Sequence, residues 1–424
     1  MNLESLKSIF SSVGADHFLF KPLSENDNSK NQVYLGGSYE LLQMIPYGDI
    51  RVFADAKRPN FKAAVNFFWI GENGKYEQAS HAQLILYPKY PEVRLSGFLK
   101  GCSLAPSEHM KPPKAKDRTG AKDGRILILA PVGDRIYAYL APADSQISNQ
   151  LLQENVEGVF ERIDFIEEDV KADLIRHLID VYKDNPHELV RLHPDGSIRP
   201  YSSKNAAGYT LEASFGIIPN GIAEPDYKGW ELKCFNSSAV TLMTPEPDGG
   251  EYHRMGVREF VTEYGHQTDD NKMYFTGPYS VHEKYKYGVT RNLIVLGYDF
   301  ENRKITDVNG AIVLLQDDLE LASWSFAHIL THWSRKHDKA CYMKYVRLPE
   351  PNRNKIDFKP SALLCETTLP EYFLDSVVDG TVYFDPGSRI SEDGTVKPRN
   401  QFRVKEKDIF KLYGKHEIIK LDIE

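Results

Sequence analysis

Apolar and aromatic residues come in short runs through the first third of the chain. Ile50-Arg51-Val52-Phe53, Ala64 to Ile70, Ala82 to Tyr87 and Arg125 to Ala130 are set off by Gly, Pro and Asn. Runs of that length with that punctuation predict strands, and many short strands so spaced predict a barrel or sandwich over about 30–145. From about 148 to 186 the period lengthens. Leu151, Leu152, Val156, Val159, Phe160, Ile163 and Ile166, then Val170, Leu174, Leu178, Ile179 and Tyr182, recur at three- and four-residue steps, which predicts helix. Residues 190–424 mix both periods. The pattern predicts an α+β chain of two domains: a β-rich 1–147, a helical linker 148–189 packing on the second domain, and a mixed α/β 190–424. Between two strand runs, Lys111 to Gly124 is basic, rich in Pro and Gly and poor in apolar residues, and predicts a long exposed loop.

Composition narrows this only a little. The 424 residues are 41% hydrophobic and 26% charged, ordinary globular values that argue against wholesale disorder. No apolar run approaches the roughly 18 residues of a membrane-spanning helix, and Met1 to Lys7 has no signal-peptide character, so a soluble cytoplasmic protein without a membrane partner is expected. Cys102, Cys234, Cys341 and Cys365 are far apart and suggest neither a disulfide framework nor a zinc site. The net charge of −8 hides an uneven distribution: residues 1–150 carry 18 Lys+Arg against 15 Asp+Glu, residues 151–200 carry 6 against 12. Because fields act over about a Debye length, an acidic total leaves room for basic, nucleic-acid-binding grooves.

Candidate chemistry concentrates between 208 and 235. Asp226 is followed by Glu231 and Lys233, and from Gly229 onward the residues alternate. On a strand Trp230, Leu232 and Cys234 face one side while Glu231, Lys233 and Phe235 face the other; a turn through Lys228-Gly229 can bring Asp226 alongside. Two carboxylates and a lysine so arranged suit phosphodiester hydrolysis. Mg²⁺ prefers hard oxygen ligands, and Asp226 and Glu231 supply them. Lys233 is then suited to orient water or stabilise phosphoryl charge. Glu212, near the start of a helix opened by Gly208 and Thr210, offers a further carboxylate. The triplet alone reads first as a surface strand with a salt bridge, and the surrounding residues change that reading. His332 and His337 stand five apart, not the four that aligns two ligands on one helix face, so they do not read as a metal pair.

The segment Gly208-Tyr209-Thr210-Leu211-Glu212 to Gly216-Ile217, with Pro225-Asp226 and Gly229-Trp230-Glu231-Leu232-Lys233, resembles the catalytic segment of the MvaI/BcnI family of restriction endonucleases, relatives of MutH within the PD-(D/E)xK nucleases. Val240 to Pro247, Trp333-Ser334-Arg335-Lys336-His337 to Ala340, Gly380 to Pro386 and Arg399 to Val404 resemble later segments of that family, so the likeness spans about 200–410. Pro247-Asp248-Gly249-Gly250 departs from a compact turn. The resemblance implies a restriction-endonuclease-like nuclease fold and a type II enzyme cutting double-stranded DNA with Mg²⁺. It further implies a monomer nicking strands in turn and paired functionally with a cognate DNA methyltransferase. Asp226, Glu231, Lys233 and Glu212 are then catalytic, with Asp226 and Glu231 on the metal. His337, Arg389, Arg399 and Arg403 become DNA contacts.

Tyr90-Pro91-Glu92-Val93-Arg94 to Leu99 resembles part of the EcoRII-type effector domain, a β-pseudobarrel related to plant transcription-factor DNA-binding domains. That likeness implies a front domain binding a second, regulatory DNA copy through Arg51, Lys57, Arg58, Arg94 and Lys100. Two other readings stay open from sequence: a MutH-like or modification-dependent nuclease, and a DNA-binding regulator that does not cut.

Overall fold

The computed structural model describes residues 1–90, 92–154, 158–166, 169–219, 225–268 and 271–422, apart from the side chains of residues 335 and 336. Pro91, Val156 and the side chains of Arg335 and Lys336, named above, lie outside the described residues. The chain divides into two compact units, Met1–Glu168 and Asp169–Glu424.

The first unit opens with helix α1 (Leu3–Ser12), whose first turn is closed by the Asn2 side chain accepting from the Ser5 amide. Its strands are β1 (His17–Ser24), β2 (Gln32–Gly36), β3 (Arg51–Phe53), β4 (Asn60–Ala64), β5 (Asn66–Ile70) and β6 (Tyr76–Gln78). They continue with β7 (Gln83–Tyr87), β8 (Glu92–Ser96), β9 (Lys122–Val132), β10 (Arg135–Ala141) and β11 (Glu161–Asp164). They form a six-stranded sheet in the order β11-β1-β9-β10-β5-β6 and a five-stranded sheet in the order β2-β8-β7-β4-β3. Leu6 and Phe10 of α1 bury against Phe18, Phe20, Ile126 and Ile128, which closes one face of the larger sheet.

The helical period expected across 148–186 is interrupted. Helix α2 (Gln146–Leu151) is followed by β11, which pairs antiparallel with β1 from His17↔Asp164 to Phe20↔Glu161. Ile163 and Phe165 pack on the core of the first unit, and that burial competes successfully with helix formation. The remaining period becomes helix α3 (Val170–Lys183) in the second unit, capped by Asp169.

The second unit is built on a five-stranded sheet. The strand Lys355–Glu366 lies between His187–Glu188 and Lys339–Arg347, and also pairs with Lys415–Lys420; Trp230–Phe235 forms the outer edge beside Lys339–Arg347. That edge pairing is parallel, with Glu231 in register with Ala340 and Lys233 with Tyr342. Helices α3 and α4 (Ala206–Ser214) supply Leu174, Leu178 and Leu211 to a core shared with Trp230, Leu232, Met343 and Leu364. Smaller antiparallel sheets complete a mixed α+β, sheet-rich unit. The Asp248-Gly249-Gly250 stretch is a close approach of two backbones: Gly249 bridges Ser323, and a Cβ on Gly249 would meet the Ser323 hydroxyl. No helix among the described residues is long and apolar enough to cross a membrane.

Candidate active site

Tyr227 and Trp230 exchange both backbone hydrogen bonds, at 2.9 and 2.8 Å, around a two-residue turn. Lys228 (φ 44°) and Gly229 (φ 89°) both occupy the left-handed region, the conformation that makes the tightest hairpins compatible with strand twist. This turn folds Asp226 back along Trp230–Phe235. Among the described residues that strand is the edge of its sheet, with no further strand on its outer side, and Asp226 Oδ2 accepts the Leu232 amide at 2.9 Å. Leu232 lies between Glu231 and Lys233, and Lys233 Nζ stands 3.1 Å from Glu231 Oε1. Asp226 is thus pinned to the backbone between the two residues that form the ion pair. Trp230, Leu232 and Cys234 pack on the apolar core as the alternation predicts, and Phe235, of the opposite set, is not among that cluster.

The side chains of Glu231 and Lys233 are 9% and 15% exposed, so their charges are only partly screened. Lys233 is in register with Tyr342, whose hydroxyl lies 2.8 Å from that of Tyr413. Burial pushes both phenols well above their ordinary range, and the nearby Glu231 charge pushes in the same direction. They form a neutral, dehydrated floor beside the charged pair. Neither tyrosine was evident from sequence, since each is more than 100 residues from Glu231.

Helix α3 anchors the turn from outside. The Tyr227 hydroxyl donates to Asp173, and Lys228 Nζ lies 3.2 Å from the same carboxylate. Those two contacts, the tyrosine first, hold the Asp173 carboxyl below its usual range. The Tyr227 ring packs edge-on against Phe215 at 4.9 Å, and Phe215 stacks on His177 at 5.3 Å. Asp226 thus sits next to a residue gripped by both charge and packing.

A family model described as MvaI/BcnI restriction endonuclease family matches residues 179–413, from α3 through the edge strand and beyond. The chain belongs to the MvaI/BcnI restriction endonuclease family. As a member it is an enzyme, a site-specific DNA nuclease. Among solved structures the chain is similar to "Restriction endonuclease MvaI-cognate DNA substrate complex", with 13% identity over 60% of this chain and 100% of that one and a TM-score of 0.48. It is also similar to "Restriction endonuclease MvaI in the absence of DNA", with 14% identity over 60% and 99% and a TM-score of 0.33. No curated protein matches the chain.

Within this MvaI/BcnI member, the other residues singled out from sequence fare differently. Glu212 is carried by α4, which packs on the apolar side of the edge strand, and its charge bears on the core-facing thiol of Cys234. Among the described residues it forms no cluster of three metal-ligating side chains with Asp226 and Glu231. His337, expected as a DNA contact, is 1% exposed: the helix Phe326–Lys336 ends just before it and its ring stacks on Trp333 at 4.1 Å. Arg403 is held by Asp385 at 2.6 Å and by the Ala239 carbonyl at 2.7 Å, whereas Arg399 is exposed and Arg389 half-buried.

In the first unit Arg51, Lys57, Arg58 and Lys100 are exposed, and Arg94 grips Glu92 through two contacts of 3.1 Å. Strand register places Tyr34, Arg94, Ile85, Lys62 and Arg51 in one row across the five-stranded sheet. Lys62, missed by motif reading, joins Arg51 and Arg94 only because of that register. A groove of about 730 Å³ at the Tyr34–Arg94 end is lined by Lys21, Lys30, Arg118 and Lys122 as well.

Proposed function

We propose that this MvaI/BcnI member is a Mg²⁺-dependent type II restriction endonuclease acting on double-stranded DNA through Asp226, Glu231 and Lys233. The observation that supports the reading is the docking of Asp226 on the Leu232 amide, between the paired Glu231 and Lys233, at the edge strand of a chain in this nuclease family. The donors fit the cation: Asp226 and Glu231 are hard oxygen ligands, and Mg²⁺ completes its octahedron with waters and substrate phosphate. The bond from Asp226 to Leu232 uses one of about four lone-pair positions that a carboxylate offers. When bound, the ion lowers the pKa of a water and neutralises phosphoryl charge.

Lys233, held close to Glu231, orients the attacking water and stabilises the charge that builds on phosphorus. Water oxygen bonds to phosphorus as the bond to the 3′ oxygen breaks, leaving a 5′-phosphate and a 3′-hydroxyl. The Tyr342–Tyr413 floor keeps bulk water from the back of the site, which strengthens each of these charge interactions. Glu212 is a supporting residue acting through the seat of α4 on the strand. With one such site among the described residues, a monomer cuts the two strands in turn.

The first unit is proposed as the β-pseudobarrel effector domain, binding a second DNA copy. The row formed by Arg51, Lys62 and Arg94 supports this reading, as do the neighbouring basic groove and the exposed Lys57, Arg58 and Lys100. In the nuclease unit Arg389 and Arg399 are the proposed DNA contacts. A cognate methyltransferase in the same cytoplasm protects host sites. The test is plasmid digestion with Mg²⁺: the wild-type protein gives discrete fragments, and Asp226→Ala and Lys233→Ala give none while still binding. Continued cutting by both variants would remove the proposed site.

A further inference from the structure

The segment Lys284-Tyr285-Lys286-Tyr287-Gly288 is a hairpin tip to which the motifs above assign nothing. Lys284–Lys286 pairs antiparallel with the start of Val289–Leu296, and Lys286 is in register with Val289. The two residues between them, Tyr287 (φ 56°) and Gly288 (φ 80°), both take the left-handed conformation of a tight hairpin turn. The next strand, Ala311–Gln316, pairs only from Arg291 onward, so the tip extends past the body of its sheet.

Its chemistry is unusual for a surface loop. Tyr285 is 74% exposed and Tyr287 57%, two large rings in water on a five-residue stretch. Lys286 Nζ lies 4.6 Å from the Tyr287 ring centre, and that ring stacks on His266 at 4.6 Å with planes 21° apart. His266 in turn is in register with Tyr274, Tyr274 with Arg389, and Arg389 with Lys397. The stacked pair and the register row make one continuous strip within the second unit, three rings (Tyr287, His266, Tyr274) followed by two cations (Arg389, Lys397). Partial burial, and after it the nearby Lys286 charge, pushes the Lys284 ammonium below its ordinary range, while Asp385 acts in the opposite direction.

We propose that this hairpin is a duplex-DNA contact of the nuclease, with Lys284 and Lys286 on backbone phosphates and Tyr285 and Tyr287 against sugars and base edges in the major groove. The proposal rests on the reading that the chain binds double-stranded DNA. A polyanion is the occupant that matches the charge, and rings interleaved with lysines supply contact area that simple phosphate binding does not need. Geometry selects the groove. Two paired strands stand about 4.8 Å apart before side chains are added. Such a ribbon fits a groove about 12 Å wide and not one of about 6 Å.

The experiment measures binding of the full chain to a labelled 30-base-pair duplex in EDTA across a salt series. Single strands of the same sequence serve as competitors. Loss of two phosphate contacts in the Lys284→Ala/Lys286→Ala variant is expected to make the log–log salt slope shallower by about 1.8. Tyr285→Ala/Tyr287→Ala is expected to weaken duplex binding severalfold with the slope unchanged. Thermal melting of each variant confirms that the fold is intact. Wild-type duplex binding that both double variants reproduce, slope included, overturns the hairpin assignment and leaves the catalytic reading standing. A loss confined to single strands also overturns it. Failure of the wild-type protein to bind any duplex overturns both readings.

Discussion

Asp226 accepts the Leu232 backbone amide at 2.9 Å, so a residue upstream of the turn is pinned at the level of the strand that carries Glu231 and Lys233. The bond is possible because Trp230–Phe235 is an edge strand, with no strand among the described residues on its outer side. Edges are usually liabilities in a sheet. Here the edge is where the acidic side chain is docked.

Asp226 consequently has a geometric role and an electrostatic one, and two substitutions separate them. Asp226→Asn retains an oxygen able to accept from Leu232 but carries no charge; Asp226→Ala loses both. Both are expected to lower cleavage by roughly 10²-fold or more, the scale of removing one preorganised charge-stabilising group. Only the alanine variant should also lose about 1 kcal/mol of stability, the net worth of a typical hydrogen bond. Plasmid cleavage and urea unfolding of the pair check this. An asparagine variant that cuts at the wild-type rate would exclude Asp226 from catalysis.

The turn itself gives a second test. At Gly229 a Cβ would meet nothing within 4 Å, so substitution there is a matter of backbone strain alone. Gly229→Ala is expected to cost about 1–2 kcal/mol, the penalty for an L-residue held in the left-handed region. If the hairpin relieves that strain by opening, Asp226 moves away from Leu232 and cleavage falls further than duplex binding. Equal cleavage with reduced stability would mean that the turn tolerates the strain and does not set the site.

Much of this was legible in the chain. The alternation from Gly229 put Glu231 and Lys233 on one side of a strand, and the Lys-Gly pair marked the turn. Local chemistry specified those features, so local reading found them. The Tyr342–Tyr413 floor was invisible because strand pairing at long sequence separation brings it there. The surroundings of His337 were hidden for a related reason: its stacking on Trp333 and its burial depend on how the helix Phe326–Lys336 ends. At Glu161–Asp164 a three-to-four-residue apolar period was satisfied by a short strand, since Ile163 and Phe165 could bury on the first unit without a helix.

Asp173 should act as a positioning residue for Asp226. It receives the Tyr227 hydroxyl and lies 3.2 Å from Lys228 Nζ, the two residues that follow Asp226. Asp173→Asn is expected to raise the Mg²⁺ concentration needed for half-maximal cleavage and to lower kcat, with KM for DNA little changed; Tyr227→Phe should do the same more weakly. Because these contacts lower the Asp173 pKa, its stabilising effect is present above the ordinary carboxylate range and fades as pH falls through the lowered value. The Mg²⁺ requirement of the two enzymes should therefore converge at acid pH. A parallel offset at every pH would assign the effect to something other than this ion pair.

Glu371 makes the last prediction, because its burial runs against its charge. It lies on the helix Pro370–Val378, 9% exposed, and burial first, then the neighbouring Asp375, push its pKa from 4.5 up to about 7. Asp375 is the better-served acid of the two, accepting from Tyr298 at 2.6 Å and from Arg303 at 2.5 Å. For a carboxyl raised on folding the sign is the reverse of the usual one. The folded chain holds the proton while the unfolded chain has released it, so stability falls as pH rises from about 4.5 to about 7 and is constant beyond. At 1.36 kcal/mol per unit the penalty reaches about 3 kcal/mol above neutrality. Glu371→Gln removes the titration: its unfolding free energy should match the wild-type trend at pH 4.5 and exceed it by a few kcal/mol at pH 8, with cleavage unaffected. Urea unfolding at both pH values decides it, and curves for the two proteins that stay parallel from pH 4.5 to 8 would show that Glu371 is charged in the folded chain.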